Sequence, residues 1–175
     1  MPEDLSFPIG KFQNPPSLNE TEWQAAIDTM ASQPARFRAA LRGLTEEQLD
    51  SPYRPGGWTV RQLAHHVPDS HAHMYIRMKF ALTEDDPTIK PYDQDAWSKL
   101  ADVRDVPITT SLLMFEAVQE RAIAVLRSLS VADRARKYVH SDNGPTRIDQ
   151  MAALYAWHGD HHMAHVLNLR MRKGW

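Results

Sequence analysis

The chain has 175 residues, of which 42% are hydrophobic and 24% charged, with a formal net charge of −2. One domain over residues 1–175 is expected, large enough to bury a real core, and no Lys/Arg run offers an electrostatic footprint for nucleic acid. The chain has no cysteine, which excludes disulfides, thiolate catalysis and Cys-type zinc or iron–sulfur sites.

No apolar run is long enough to span a membrane, and Met1-Pro2-Glu3-Asp4-Leu5 lacks the basic-then-apolar layout of a signal peptide. A cytoplasmic protein is therefore expected. Residues 1–16 read as irregular, with Phe7, Pro8, Ile9 and Phe12 as docking groups. Ser17 with Glu20 suggests a capping box opening the first helix. Trp23, Ile27, Met30, Phe37, Leu41 and Leu44 then recur at helical spacing, with Pro34 in one slot, so the segment is one kinked helix or two. Thr45 with Gln48 suggests a second cap and one short turn.

Ser51 to Gly57 is a turn by composition. Thr59 with Gln62 caps a helix from Val60 to about Leu82, whose inward face is Val60, Leu63, Val67, Met74 and Ala81. Pro68 removes a backbone donor inside it, so a bend is expected there. Thr83 to Asp95 is acidic, proline-punctuated and read as a loop, and residues 94–100 as a short helix. A third long helix runs over about Thr110 to Leu129 on a Leu112, Phe115, Val118, Ala122, Val125 and Leu129 face. Ser130 to Lys137 reads as a helical turn, and Tyr138 to Pro145 as a turn built on Asn143-Gly144. Thr146 with Asp149 then caps a last helix, Ile148 to Leu169. Four long helical patterns without an alternating strand pattern predict an all-α four-helix bundle with short accessory helices and loops. Trp23, Trp58, Trp97 and Trp157 are expected in its core.

The last helix carries four of the nine histidines. Ile148, Met151, Tyr155, His158, His162, His165 and Leu169 are spaced 3, 4, 3, 4, 3 and 4, one line down one face. Buried imidazoles are costly unless their nitrogens are used, and His158 and His162, one turn apart, can reach the same ion. The second helix supplies a further cluster, His65, His66, His71 and His73. His66 lies at the margin of the apolar face, whereas His65 points roughly 200° away from Leu63. The preferred third ligand is therefore His66, and His65, His71 and His73 are read as non-ligands. Three imidazoles from two facing helices leave open metal positions, which is a catalytic layout.

Several stretches together resemble the DinB/YfiT-like superfamily of metal-dependent hydrolases, the YfiT branch above all. They are Asp4-Leu5-Ser6-Phe7-Pro8-Ile9-Gly10, Pro52 through Gln62, His65 through His71, Leu82-Thr83-Glu84, Lys90-Pro91-Tyr92-Asp93 with Trp97, and Trp157 through His165. The resemblance covers essentially the whole chain. It implies a four-helix bundle that holds one divalent metal, zinc or nickel, through three histidines, and frequent homodimers. Its pattern puts one ligand eight residues after the Trp that opens the second helix, here His66, and the others on the HxxxH of the last helix, here His158 and His162. Pro68 departs from that pattern and could tilt His66.

A metal with an open position can activate water, polarise a carbonyl or bind a thiolate. Asp69 could orient a ligand imidazole or act as a base; its other reading is a solvent-facing carboxylate. His165 could be a polar neighbour of the site or a hydrogen-bonded core histidine, and His161 a surface or supporting group. Arg54 and Arg77 could recognise an anionic substrate. Three functions follow: hydrolysis of a small amide or ester; S-transfer of a low-molecular-weight thiol such as bacillithiol, mycothiol or glutathione; or a non-enzymatic metal-binding stress protein.

Overall fold

The structure is a computed structural model that describes residues 5–142 and 144–175. In chain order its elements are α1 (Glu20–Leu41), α2 (Glu46–Leu49), α3 (Val60–Thr83), β1 (Thr88–Ile89), α4 (Gln94–Trp97), α5 (Ala101–Asp105), α6 (Ile108–Ser128), α7 (Val131–Arg134), β2 (Lys137–His140), β3 (Gly144–Arg147) and α8 (Ile148–Lys173). The four long helices form the bundle that the apolar periodicity predicts. Met1 to Asp4, and Asn143 of the expected Asn143-Gly144 turn, lie outside the described residues.

The bundle has two apolar ends. One gathers Trp23, Ile27 and Met30 of α1, Met74, Met78 and Ala81 of α3, Ala122 and Leu126 of α6, and Ile148, Met151 and Tyr155 of α8. The other gathers Phe37 and Leu41, then Val60, Leu63 and Val67, then Leu112 and Phe115, then Met163, Val166 and Leu169 from the same helices. This sorting fixes direction: α1 and α8 run one way, α3 and α6 the other. α3 packs most extensively on α6, and α1 on α8. Each of these neighbouring pairs is parallel, so its members cannot be joined by a tight turn. The connections must cross the end of the bundle, and the short helices and strands lie in them.

Between the apolar ends runs a polar layer. Pro34 sits inside α1 without breaking it. A proline has no N–H to give the carbonyl four residues back, here that of Met30. Gln119 of α6 supplies the missing donor, its Nε2 lying 3.0 Å from the Met30 oxygen. Beside it, fully buried Gln33 donates to the Ala156 carbonyl of α8 at 2.7 Å. This amide packs on Gly159, where a Cβ would come within 2.4 Å of the Gln33 amide carbon. The histidines lie next to this layer. α3 likewise runs unbroken through Pro68.

Three local expectations are corrected. Helix α1 is capped by Asn19 with Glu22, not Ser17 with Glu20: the Asn19 oxygen accepts from the Glu22 N–H at 3.0 Å, and Glu22 returns the bond. Helix α8 starts after Arg147, whose N–H donates to Gln150 Oε1 at 3.0 Å, rather than through Thr146 with Asp149. Asp149 is instead buried and held by the Arg147 guanidinium at 2.6 Å. Thr146 is in strand β3, because Tyr138 to Pro145 is no simple turn. It contributes to a three-stranded sheet of order β1-β2-β3, with β1–β2 parallel and β2–β3 antiparallel. The strands are two to four residues long and Pro145 pairs with Val139, so no alternation could announce them. Pro145 is tolerated because β3 is an edge strand. Trp23 is in the core as expected, but Trp58 and Trp157 are half-buried and Trp97 is 39% exposed.

Candidate metal centre

Helices α3 and α8 are antiparallel, so the second turn of α3 faces the middle of α8. There His66, His158 and His162 converge, with one ring nitrogen of each within 4.8 Å of the others. The Nε2 atoms of His66 and His158 are 3.3 Å apart, and those of His158 and His162 3.1 Å. Burial holds all three rings neutral: His66 is pushed down to about 4, and His158 and His162 well below the usual histidine range. Neutral imidazoles meeting through a common set of Nε2 atoms cannot all find donors, since each ring carries one N–H. A cation resolves the conflict. Two nitrogens at about 2.0–2.1 Å from a tetrahedral ion stand roughly 3.3 Å apart, close to both spacings here. The residues therefore fit a divalent metal, with His66, His158 and His162 as the residues able to hold it.

Two of these histidines, His158 and His162, border a cavity of about 480 Å³ lined also by Tyr53, Arg54, Trp58, Asp95, Trp157 and His161 among others. Trp58 packs its ring edge-on against His66 at 4.8 Å and donates its indole N–H to Asp95 Oδ1 at 2.9 Å. Asp95 is the carboxylate of this cavity, and its charge raises the proton affinity of His66 against the dominant effect of burial. No periodicity marks Asp95: it closes an acidic run in the sequence and sits in the single turn of α4, and only the packing of that turn against Trp58 brings it in.

The other histidines separate as follows. His161 is buried, stacks on Trp157 at 4.4 Å, and has its Nε2 at 3.2 Å from that of His165. His165 stacks on Tyr53 at 4.2 Å, and burial, His161 and the nearby Arg54 and Arg172 push it down to about 3. His65 reaches Ser111 of α6, Nδ1 to Oγ 2.7 Å. His73 stacks flat on Tyr92 at 4.3 Å. His71 is fully buried beside His158, ring centres 5.7 Å apart, and neither of its nitrogens makes a well-formed hydrogen bond. Asp69 is half-buried and does not line the cavity; burial, with Asp102 nearby, raises it to about 6. Among the described residues, no helix is long and apolar enough to cross a membrane.

The fold has known counterparts. The DinB superfamily profile matches residues 29–166. A protein of Bacillus cereus strain AH820 named "Putative metal-dependent hydrolase" is 44% identical over 172 residues, covering 98% of this chain and 99% of its own. A Bacillus anthracis protein of the same name is equally similar. YfiT from Bacillus subtilis, described as a probable metal-dependent hydrolase with an unusual four-helix bundle topology, superimposes with a TM-score of 0.96 at 39% identity, over 99% of both chains. A further four-helix bundle protein superimposes at TM-score 0.55 and 17% identity, over 87% of this chain and 99% of its own, and shares the fold alone. With a family profile over most of its length and relatives that match end to end, the chain belongs to the DinB superfamily.

Proposed function

We propose that the protein is a metal-dependent hydrolase of a small amide or ester, with His66, His158 and His162 holding one divalent ion, zinc first and nickel as the alternative. The observation that carries this reading is the convergence of three neutral imidazoles, two of which, His158 and His162, line a solvent-open cavity. Imidazole donors suit zinc and nickel, and three of them leave positions for water and substrate. Such an ion, when bound, supplies Lewis acidity that lowers the pKa of water and polarises a carbonyl. The rest is the work of the chain. Asp95, held by the Trp58 indole, accepts the proton lost by the attacking water and returns it to the leaving amine or alcohol. Arg54, on the cavity wall, offsets negative charge growing on the carbonyl oxygen. Trp58 and Trp157 give the cavity apolar walls that orient the substrate.

Metal analysis of the purified protein with a screen of amide and ester substrates tests this. Stoichiometric metal, chelator-sensitive turnover and loss of turnover in Asp95→Asn are expected. Turnover that requires an added low-molecular-weight thiol would replace hydrolysis by thiol transfer. Full metal content in both His66→Ala and His162→Ala would remove the site itself.

A further inference from the structure

One turn from the metal histidines lies a second polar cluster that the hydrolytic chemistry does not use. Ser70 follows His66 by four residues on α3, and Tyr155 precedes His158 by three on α8. Because the helices are antiparallel, both fall on the same side of the histidines, toward the small sheet. Arg77 points into this region. It is only 7% exposed, its Nε is buried without a hydrogen-bond partner, and among the described residues it forms no ion pair. Its guanidinium engages the Tyr155 hydroxyl and lies within electrostatic reach of Tyr92, Tyr138, His73 and His140. Tyr92 comes from the loop after β1, Tyr138 and His140 from β2, so the sheet closes the cluster from outside.

Every one of these neighbours is neutral. Burial is the largest influence on all three phenols: it pushes Tyr92 and Tyr138 up to about 12 and raises Tyr155, so each keeps its O–H. Asp69 borders the cluster at Tyr92 without pairing with Arg77. A guanidinium taken out of water without a counter-charge is costly, and two other arginines of this chain meet a carboxylate, Arg61 with Asp50 at 2.7 Å and Arg147 with Asp149 at 2.6 Å. A planar fork of donors surrounded by hydroxyl donors matches the two oxygens of a carboxylate.

We propose that Arg77, with the hydroxyls of Tyr92, Tyr138 and Tyr155, is the receptor for a carboxylate carried by the substrate. The substrate is then an acidic small molecule, its carboxylate held on the sheet side of the metal histidines that meet its scissile bond. This rests on the hydrolase reading only for which bond is cut; the binding of the anion stands apart from it.

The test measures binding rather than turnover. N-acetylglycine and its uncharged amide, N-acetylglycinamide, are titrated calorimetrically into the native protein with and without metal. The carboxylate is expected to bind at least about tenfold tighter than the amide, as one charge-assisted contact would give, and to keep that preference after metal is stripped. Arg77→Met should abolish the preference, and Tyr92→Phe should weaken it several-fold. If Arg77→Met does not fold, Tyr92→Phe and Tyr138→Phe carry the test, since each removes one hydroxyl and leaves the ring. No preference in the native protein overturns the receptor, as does a preference that survives in Arg77→Met, vanishes with the metal, or is unmoved by both tyrosine variants. Carboxylate binding without any amide or ester turnover leaves the receptor and removes the hydrolase. Turnover of neutral amides with no binding preference does the reverse.

Discussion

Helix α8 carries two histidine pairs of identical spacing, His158 with His162 and His161 with His165. In both, the Nε2 atoms nearly touch, at 3.1 Å and 3.2 Å. Only the first pair meets a third imidazole, that of His66. The second pair is offset by three residues, about 60° around the helix. That small rotation carries it away from α3 toward Tyr53, Arg54 and Arg172, whose charges disfavour a second cation. The HxxxH spacing is thus necessary for a two-point clasp and says nothing about a third ligand. The neighbouring helix makes the distinction.

The comparison is broken most directly at its third member. His66→Ala should lower zinc affinity by about a thousandfold, roughly 4 kcal/mol, leaving the first pair no better a site than the second. Equilibrium metal competition with a chromophoric chelator measures it, and an unchanged affinity would mean that His66 is not a ligand.

Acid comes next, because it acts on both pairs in the metal-free protein. His66 titrates near 4 and His71 and His165 near 3 when folded, against about 6.5 when unfolded. Between pH 6.5 and 4 the unfolded chain therefore binds more protons, so stability falls as pH is lowered. His66 alone should contribute about 3 kcal/mol to that loss. Urea unfolding of the stripped protein at pH 7, 5.5 and 4.5 gives the slope. Saturating zinc should move the acid transition lower, since only neutral imidazole binds it. A stability flat from pH 7 to 4.5 would contradict the burial of these rings.

Gly159 follows His158 directly, beside the first pair, where the Gln33 amide fills the space of a Cβ. Gly159→Ala forces that amide away from the Ala156 carbonyl and should cost about 2 kcal/mol in spite of the better helix propensity of alanine. Denaturant midpoints measure it; a stabilised variant would show that Gln33 can yield.

The smallest effect is expected at the second pair. His165→Ala should change zinc affinity less than about fivefold, within 1 kcal/mol, in the same competition assay. A larger loss would draw His165 into the metal site.

The four helices were readable from apolar spacing because each buries one continuous stripe. Thr45 and Thr59 were readable as caps because the local bond pattern S/T-x-x-Q is all a cap needs. The same rule misplaced the start of α1, where Asn19 offers an equally good acceptor two residues later, and that of α8, where the chain enters from a strand. The strands are two to four residues long, so that the buried Ile89 and Tyr138 recur in no alternation, and they left no pattern. His66 could be ranked above His65 by helical phase. Asp95, Arg77 and the Gln33–Gly159 contact could not, because their meaning depends on what a distant segment places beside them.

By itself the amino-acid sequence determined the helices, their inward faces, the lack of any thiolate ligand and the clasp of His158 with His162, since all of these are set by spacing along one helix or by composition. The tertiary structure decided which clasp gains a third nitrogen, which carboxylate stands over the cavity, and which arginine is buried without a counter-charge. Those outcomes depend on antiparallel α3 and α8 meeting at one level and on a loop and sheet folding back across them. Contacts between segments ninety residues apart are fixed by packing, and no local periodicity records them.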